Sequence, residues 1–530
     1  MGPDMSDKPS FIRWTRTHLV KGGELLSTIL AGTLLLTATG LFSQVVGFLY
    51  RMVLSRLIGA ETMGLYQLVM PVYSMLMSVT AVGLTVAVST LSARCHALGD
   101  DGTVKLVLRR ALKNFLLLAL PLGLAVAALS DPISVYLLGD ARTRLGVVVM
   151  VPCMLLTGVE NLHKHCFYGI GRVRPPAAVE TAEQLIRAGA VLGLLIALLP
   201  RSAEETVGLI ALGMVLCEVF SACALTLLFR RHWRRFPPGE PRTDISGKRL
   251  MSIAVPVGAT SLLGTLLGSA NAVLIPAKLV EGGMTLAEAM AEFGVLSGMT
   301  LPLLGLPTGF IGALCLVMVP DLSRRTAKGD RRAAGGFLDR VMSATSLLMA
   351  PAMALLTVIG PSVGRAMFKD PRVGELMLPL AVGTLLGCWQ SVLSGALNGL
   401  GLQGKAARNA ILSDVVQLAF TFFAVARFGL TGFAAGYAAS GLAGAGLNLA
   451  SVLRAAELRV KWFRWFVRPL LAATLMGLWC NLLFRVMLDA GCGQGWSVLS
   501  CVLLGLAVYA AALLAQGVTF SRPTFSREKK

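Results

Sequence analysis

Charge is what this sequence has least of: Asp, Glu, Lys and Arg make up 14% of its 530 residues, against about a quarter in an ordinary soluble domain. That deficit, with 55% hydrophobic residues and a mean hydropathy of +0.72, excludes a soluble enzyme, because too little polar surface is left to face water. Paired cysteines are also missing. The ten cysteines contain no C-x-x-C, and Cys153, Cys217, Cys223, Cys315, Cys388, Cys480 and Cys501 lie inside apolar segments, which excludes a disulfide framework and a zinc site. No phosphate-binding loop is present. The nearest approach, GLGLQGKA at 399–406, lacks the Ser or Thr that should follow its Lys and has no strand before it. Without an ATPase, transport by such a chain draws on an ion gradient, the membrane potential or the substrate's own gradient.

What the chain does have is apolar stretches of 18 residues or more along its whole length, each able to cross a hydrocarbon core of about 30 Å as a helix. The expected spans are 26–54, 64–90, 109–129, 145–168, 177–199, 205–229, 250–278, 291–319, 337–363, 375–397, 406–426, 430–453, 468–488 and 495–517. The formal charge of +20 comes from short Lys/Arg blocks between spans and not from a nucleic-acid-binding domain. About 34 of these cations fall on the side of the N-terminus and about 10 on the other, so the positive-inside rule puts both termini in the cytoplasm, with an uncleaved N-terminal segment.

Shifting the second half over the first by about 230 residues aligns LSARCHALGD (91–100) with LSRRTAKGD (322–330), and CFYGIGRVRPPA (166–177) with ALNGLGLQGKAA (396–407). Both matches fall on the same side of the membrane, so the repeats are parallel. The expected architecture is all-α and polytopic, with about fourteen transmembrane helices in two parallel six-helix bundles plus a C-terminal pair. Its parts are a cytoplasmic segment 1–25, a bundle 26–229, a linker 230–249, a second bundle 250–453, two further helices in 454–518 and a cytoplasmic tail 519–530. Two such bundles suit alternating access around a site near the midplane.

Ionisable groups within spans are expensive and therefore functional candidates. Gln44, Arg51 and Ser55 recur at i, i+7 and i+11 on one face of the first span. Arg51 and Arg56 lie toward its far end, where they either face a cavity or snorkel to the interface. The fourth span gathers Glu160, Asn161, His163, Lys164 and His165. Glu160 and Lys164 are spaced to neutralise each other, whereas His163 and His165 point to different faces and make no metal pair. The 230-residue shift lays Glu160 over Gln390. Glu180, Glu183 and Arg187 form one face of the fifth span, and the corresponding eleventh has Ser413 and Asp414. Asn271 and Lys278 in the seventh span and Gln390 and Asn398 in the tenth complete the set.

The stretch 40–93 contains Gly47 to Arg51, Ile58 to Ala60 and Gly64 to Gln67, a Gly-Phe-φ-Tyr-Arg helix followed by Leu-Gly-Ala-like and Gly-x-Tyr-Gln segments. It resembles the polysaccharide-transporter family typified by stage V sporulation protein B, within the flippase superfamily that also holds multidrug extruders and lipid II flippases. The likeness continues through 296–314 and 397–407, and weakens after about residue 455. The resemblance implies a flippase for an undecaprenyl-pyrophosphate-linked saccharide in cell-wall, spore-cortex or surface-polysaccharide synthesis. It places the chain in the bacterial cytoplasmic membrane, with cell-wall synthases as possible partners, no cofactor, and coupling to membrane potential, sodium or protons.

Arg51 occupies the Arg of that family motif. Ser43-Gln44 stands where lipid II flippases have Ser-Arg, and their acidic residue after the first turn is missing, which leaves the saccharide unassigned. The candidate cavity residues are Gln44, Arg51, Arg56, Gln67, Glu160, Asn161, Asn271, Gln390, Asn398 and Asp414. A cation-coupled drug extruder, for which Glu160 could serve as the exchanging carboxylate, and a membrane assembly factor without transport are the competing readings.

Overall fold

A chain in lipid must satisfy its backbone N–H and C=O groups internally. The computed structural model of the protein is accordingly helical throughout, with no strand among the described residues. It describes residues 8–200, 202–235, 239–240, 247–327, 329–456 and 458–517, with side chains from Leu35 onward apart from residue 316. The expected tail 519–530, the first residues of segment 1–25, and 236–238 and 241–246 of the linker lie outside the described residues.

The principal helices are α1 (Lys8–Met77), α2 (Gly83–Ala97), α3 (Asp101–Ala128), α4 (Arg144–Gly169), α5 (Arg174–Leu198), α6 (Ala203–Arg235) and α7 (Gly247–Glu281). They are followed by α8 (Leu286–Phe293), α9 (Gly309–Ala327), α10 (Arg331–Val363), α11 (Met377–Gly399), α12 (Gln403–Ala455), α13 (Arg468–Asp489) and α14 (Gln494–Ala515).

Among the described residues, eleven helical stretches are long and apolar enough to cross a membrane, and Leu286–Gly305 with Gly309–Ala327 makes a twelfth if the pair is one span bent by 53°. The sequence showed no such bend in the span 291–319; Pro307, which has no N–H to donate, stands at the break. Two stretches are too long for one crossing. Leu35–Ala97 has 63 residues and Gln403–Ala455 has 53, about 95 and 80 Å. Each contains a glycine off the helical conformation, Gly59 (φ 75°, ψ 172°) and Gly429 (φ 59°, ψ −144°). Around Gly429 the chain doubles back, so that Ser413 bonds the Ser440 carbonyl and Asn409 bonds Asn448. Around Gly59 it brings Tyr50 and Tyr66 to the same arginine, Arg187. With two crossings in each, the fold has room for fourteen spans.

The backbone repeats with the period read from the sequence. Left-handed positions recur 230 residues apart at Gly99 and Gly329, Gly139 and Lys369, Gly171 and Gly401, and Leu199 and Gly429. Asp100 and Asp330 each cap a helix, accepting from the backbone N–H of Thr103 and Ala333. At the face of the bundle away from the Arg-rich loops, Arg142 binds Asp140 at 2.7 Å and Glu61 at 2.6 Å; Arg372 binds Asp370 at 2.6 Å and Glu292 at 3.0 Å. Asp370 sits in a connection outside the spans. Burial opposes its ionisation, but hydrogen bonds from the Arg372 guanidinium and backbone N–H hold its carboxyl below the usual range.

The halves meet along a close seam. A Cβ on Gly64 would collide with the Met290 carbonyl, and one on Gly294 with the Ala60 carbonyl. One further point of backbone approach joins Gly83 to Ala254. Polar and aromatic contacts reinforce the seam: Ser78 with Thr265 (2.6 Å), Gln44 Nε2 donating to the Gly305 carbonyl (2.7 Å), and the Phe48 and Phe368 rings edge to face. Arg56 donates to the carbonyls of Ala366 and Met367.

Candidate functional site

Two polar nodes lie inside the helices, one in each half. In the first half α4 contributes Glu160, α5 contributes Glu183 and Arg187 one turn apart, and α6 contributes Glu218. Their residues are 3%, 6% and 2% exposed for the three glutamates, and their carboxylate oxygens all lie within 4.8 Å of one another. Arg187 bridges Glu183 and Glu218, the latter at 3.3 Å. Lys164 lies 4.0 Å from Glu160 and 3.1 Å from Glu180, so the expected i, i+4 neutralisation of Glu160 is shared with the next helix.

The second node occupies the same positions 230 residues on, and it is neutral. Gln390, Ser413, Gln417 and Asn448 stand where Glu160, Glu183, Arg187 and Glu218 stand in the first half. Ser413 reaches Gln390 at 3.5 Å, Asn448 donates to the Gln390 carbonyl at 3.2 Å, Ser440 donates to Gln417 at 3.2 Å, and Asn409 binds Asn448 and Ser451. Every one of these amides has a partner. In the charged node, by contrast, Arg187 Nε, Glu218 Oε2, Ser221 Oγ and Tyr50 Oη have none among the described residues.

The first span carries a third element. Val45, Leu49, Val53 and Leu57 are exposed at i, i+4, i+8 and i+12 and form its apolar stripe. Arg51 is exposed on the opposite side of the same helix, with no hydrogen bond or ion pair among the described residues. It shares that side with Gln44, whose amide reaches into the second half.

The remaining candidates disperse. Arg56 is committed to the carbonyls of 366 and 367, and Asn398 is exposed at the Arg-rich end of α11. Asn271 accepts from Thr421 at 2.7 Å, and Asp414 lies two turns before Thr421 on α12, half-buried without an ion pair. Gln67 and Asn161 are half-buried. Lys278 pairs with Glu281 at 2.6 Å and lies over the Phe422 ring. His163 binds the Val159 carbonyl while His165 packs on Tyr168. Glu218 was not among the candidates, although an acidic residue within an apolar stretch, aligned by the 230-residue shift with Asn448, was a usable signal.

A glycine-lined seam between two helical repeats, each enclosing a buried polar node, defines a polytopic membrane protein of the two-repeat transporter fold. The chain belongs to the polysaccharide biosynthesis protein family, whose profile matches residues 29–325. It is 24% identical to stage V sporulation protein B of Bacillus subtilis over 416 residues, covering 76% of this chain and 78% of that protein. It is 20% identical to the lipid II flippase MurJ of the same organism, over 74% of this chain and 76% of that one. Among solved structures, the lipid II flippase MurJ in an inward closed conformation matches with a TM-score of 0.68 at 14% identity, covering 90% of this chain and 98% of that one. An inward-facing multidrug resistance MATE transporter of the MOP superfamily matches at 0.58 with 16% identity, over 80% and 95%. The chain is thus a multi-pass membrane protein with the fold of that superfamily.

Proposed function

We propose that the chain is a flippase that moves a polyprenyl-pyrophosphate-linked saccharide from the inner to the outer leaflet of a bacterial cytoplasmic membrane by alternating access. The observation that carries this reading is Arg51, a guanidinium without a partner among the described residues, on the side of its helix opposite the lipid-facing stripe. A guanidinium in that position offers paired donors to diphosphate oxygens while the sugar stays in a wet cavity. Gln67, Asn161 and Asn271 supply further neutral polar groups within the spans, and Arg56 acts in closing the halves against each other. An apolar groove of about 520 Å³, lined by Met353, Val358, Leu378, Leu385, Leu470 and Leu478, suits a polyprenyl tail.

The Arg-rich loops orient both termini toward the cytoplasm. A potential negative inside then favours outward passage of an anionic headgroup by about 2.3 kcal/mol per charge per 100 mV. The family membership and the relatives' names support a lipid-linked saccharide over a drug. The glutamate node favours a second reading, a cation-coupled drug extruder of the same fold.

The deciding experiment depletes the protein in its host and treats intact cells with an enzyme that cleaves only outward-facing lipid-linked precursors. Accumulation of one protected precursor supports the flippase and names its cargo. Unchanged precursors with raised sensitivity to cationic drugs favour the extruder.

A further inference from the structure

The charged node is out of balance. Glu160, Glu180, Glu183 and Glu218 face two cations, Lys164 and Arg187. In a low-dielectric interior such an excess of carboxylates requires protons or a bound cation. The carboxylate oxygens of Glu160 and Glu218 lie within 4.8 Å of each other, and two ionised carboxylates that close have no donor to share. Glu218 Oε2 is also without a partner although the residue is 2% exposed. Two further buried groups around the node are orphaned in the same way: the Tyr50 hydroxyl, which faces Arg187, and the Ser221 hydroxyl one turn along α6.

The second half acts as an internal control. With Gln390 and Asn448 at the equivalent positions, an all-neutral set of amides and hydroxyls holds the same three helices together with its hydrogen bonds satisfied. Packing therefore does not demand charge here. A metal ion fits the first node poorly, because the Arg187 guanidinium already occupies two of the three carboxylates and would repel a cation placed among them.

Besides Lys164 and Glu180, the charged and titratable groups facing the pair are Glu183 and Arg187 on α5, Cys153 on α4 and Cys217 on α6. From α1, Tyr73 faces Glu218, and Tyr50 and Tyr66 face Arg187. Tyrosine and cysteine side chains at their ordinary pKa values are neutral at physiological pH, so the carboxyls are the groups that exchange a proton.

We infer that Glu160 and Glu218 form a proton-carrying pair whose proton, gained from one side of the membrane and released to the other, drives the transport cycle. The inference rests on the transport reading above. Arg187 transmits the change: a deprotonated Glu218 holds the guanidinium, whereas a protonated one frees it toward Tyr50, which shares its helix with Arg51 and Gln44. Proton binding thereby alters the helix that spans the seam.

Infrared spectroscopy of the purified full-length chain in lipid tests this without any substrate. The expected result is a protonated-carboxyl C=O band at neutral pH that shifts in D2O, and is lost in Glu218→Gln and in Glu160→Gln. No such band in the wild-type chain, or a band that survives both substitutions, overturns the inference. So does a wild-type band that disappears saturably on adding sodium or magnesium but not choline, which would make the site a metal site. In proteoliposomes, an imposed proton gradient should change wild-type transport several-fold and leave Glu218→Gln unresponsive; equal responses overturn the coupling role. A chain that shows the band but flips no lipid-linked saccharide would refute the flippase reading and leave the proton site standing.

Discussion

Gly64 and Gly294 stand 230 positions apart in the sequence and back to back in the fold, each so close to the other's helix that neither has room for a Cβ. The contact is a property of the repeat, since equivalent residues meet only near the axis that relates the halves. Gly64→Ala and Gly294→Ala should each push the halves apart against backbone carbonyls and destabilise the protein by about 1–3 kcal/mol. Gly268→Ala, in α7 with open space around it, should be neutral or stabilising by up to about 1 kcal/mol. Thermal unfolding in one detergent, with the three variants side by side, checks this. Equal midpoints for Gly64→Ala and Gly268→Ala would mean that the seam is loose.

Asp370 and Arg372 pair within the connection between α10 and α11, and Arg372 in turn holds Glu292 beside the seam. Because the folded carboxyl is held below its unfolded value of about 3.9, the stabilisation is complete above that pH. It is lost as the pH falls through the folded value. Asp370→Asn should therefore lower the unfolding midpoint at pH 6 and narrow its gap from the wild type as pH falls below about 4. A gap that stays constant on acidification would show that the ion pair contributes nothing.

Much of this was legible in the sequence because the landmarks of a membrane repeat are its glycines and its few polar residues, and both obey the 230-residue shift. Gly171 and Gly401, or Glu160 and Gln390, could be aligned without knowing any contact. Partnership was not legible. Glu218 joins Glu160 and Glu183 only because three helices converge, and helical periodicity reports faces of one helix at a time. Arg56 and Arg51 looked alike at five residues' separation, yet the helix turns one toward carbonyls of the other half and leaves the other unpaired. The bend near Pro307 was hidden for a related reason: proline is tolerated in membrane helices, and its effect depends on neighbouring packing.

Asp339 anchors the C-terminal pair. It accepts from Trp465 Nε1 at 2.6 Å, Lys461 at 2.9 Å and Arg464 at 3.1 Å, and Trp465 is fully buried. Asp339→Ala should orphan the buried indole N–H and destabilise the chain by about 1–3 kcal/mol, while Asp339→Asn, which keeps an acceptor, should lose less. Limited proteolysis between α12 and α13 provides the readout. Equal cleavage of the two variants would mean that charge, not the indole bond, fastens this segment.

Arg51 is the residue on which the substrate assignment turns. If its paired donors hold a diphosphate, Arg51→Ala should lower flipping of a lipid-linked saccharide at least about tenfold, since a charge-assisted bidentate contact is worth roughly 1.5–3 kcal/mol. Arg51→Lys keeps the charge but not the planar fork, and should recover only part of the rate. Arg56→Ala removes a contact between the halves and should instead alter how often the seam opens, seen as changed cross-linking of cysteines introduced at Ala60 and Met290. Flipping assays in proteoliposomes with all three variants separate these roles. If Arg51→Ala transports at the wild-type rate while Arg56→Ala does not, the headgroup is recognised elsewhere and Arg51 plays no part in holding it.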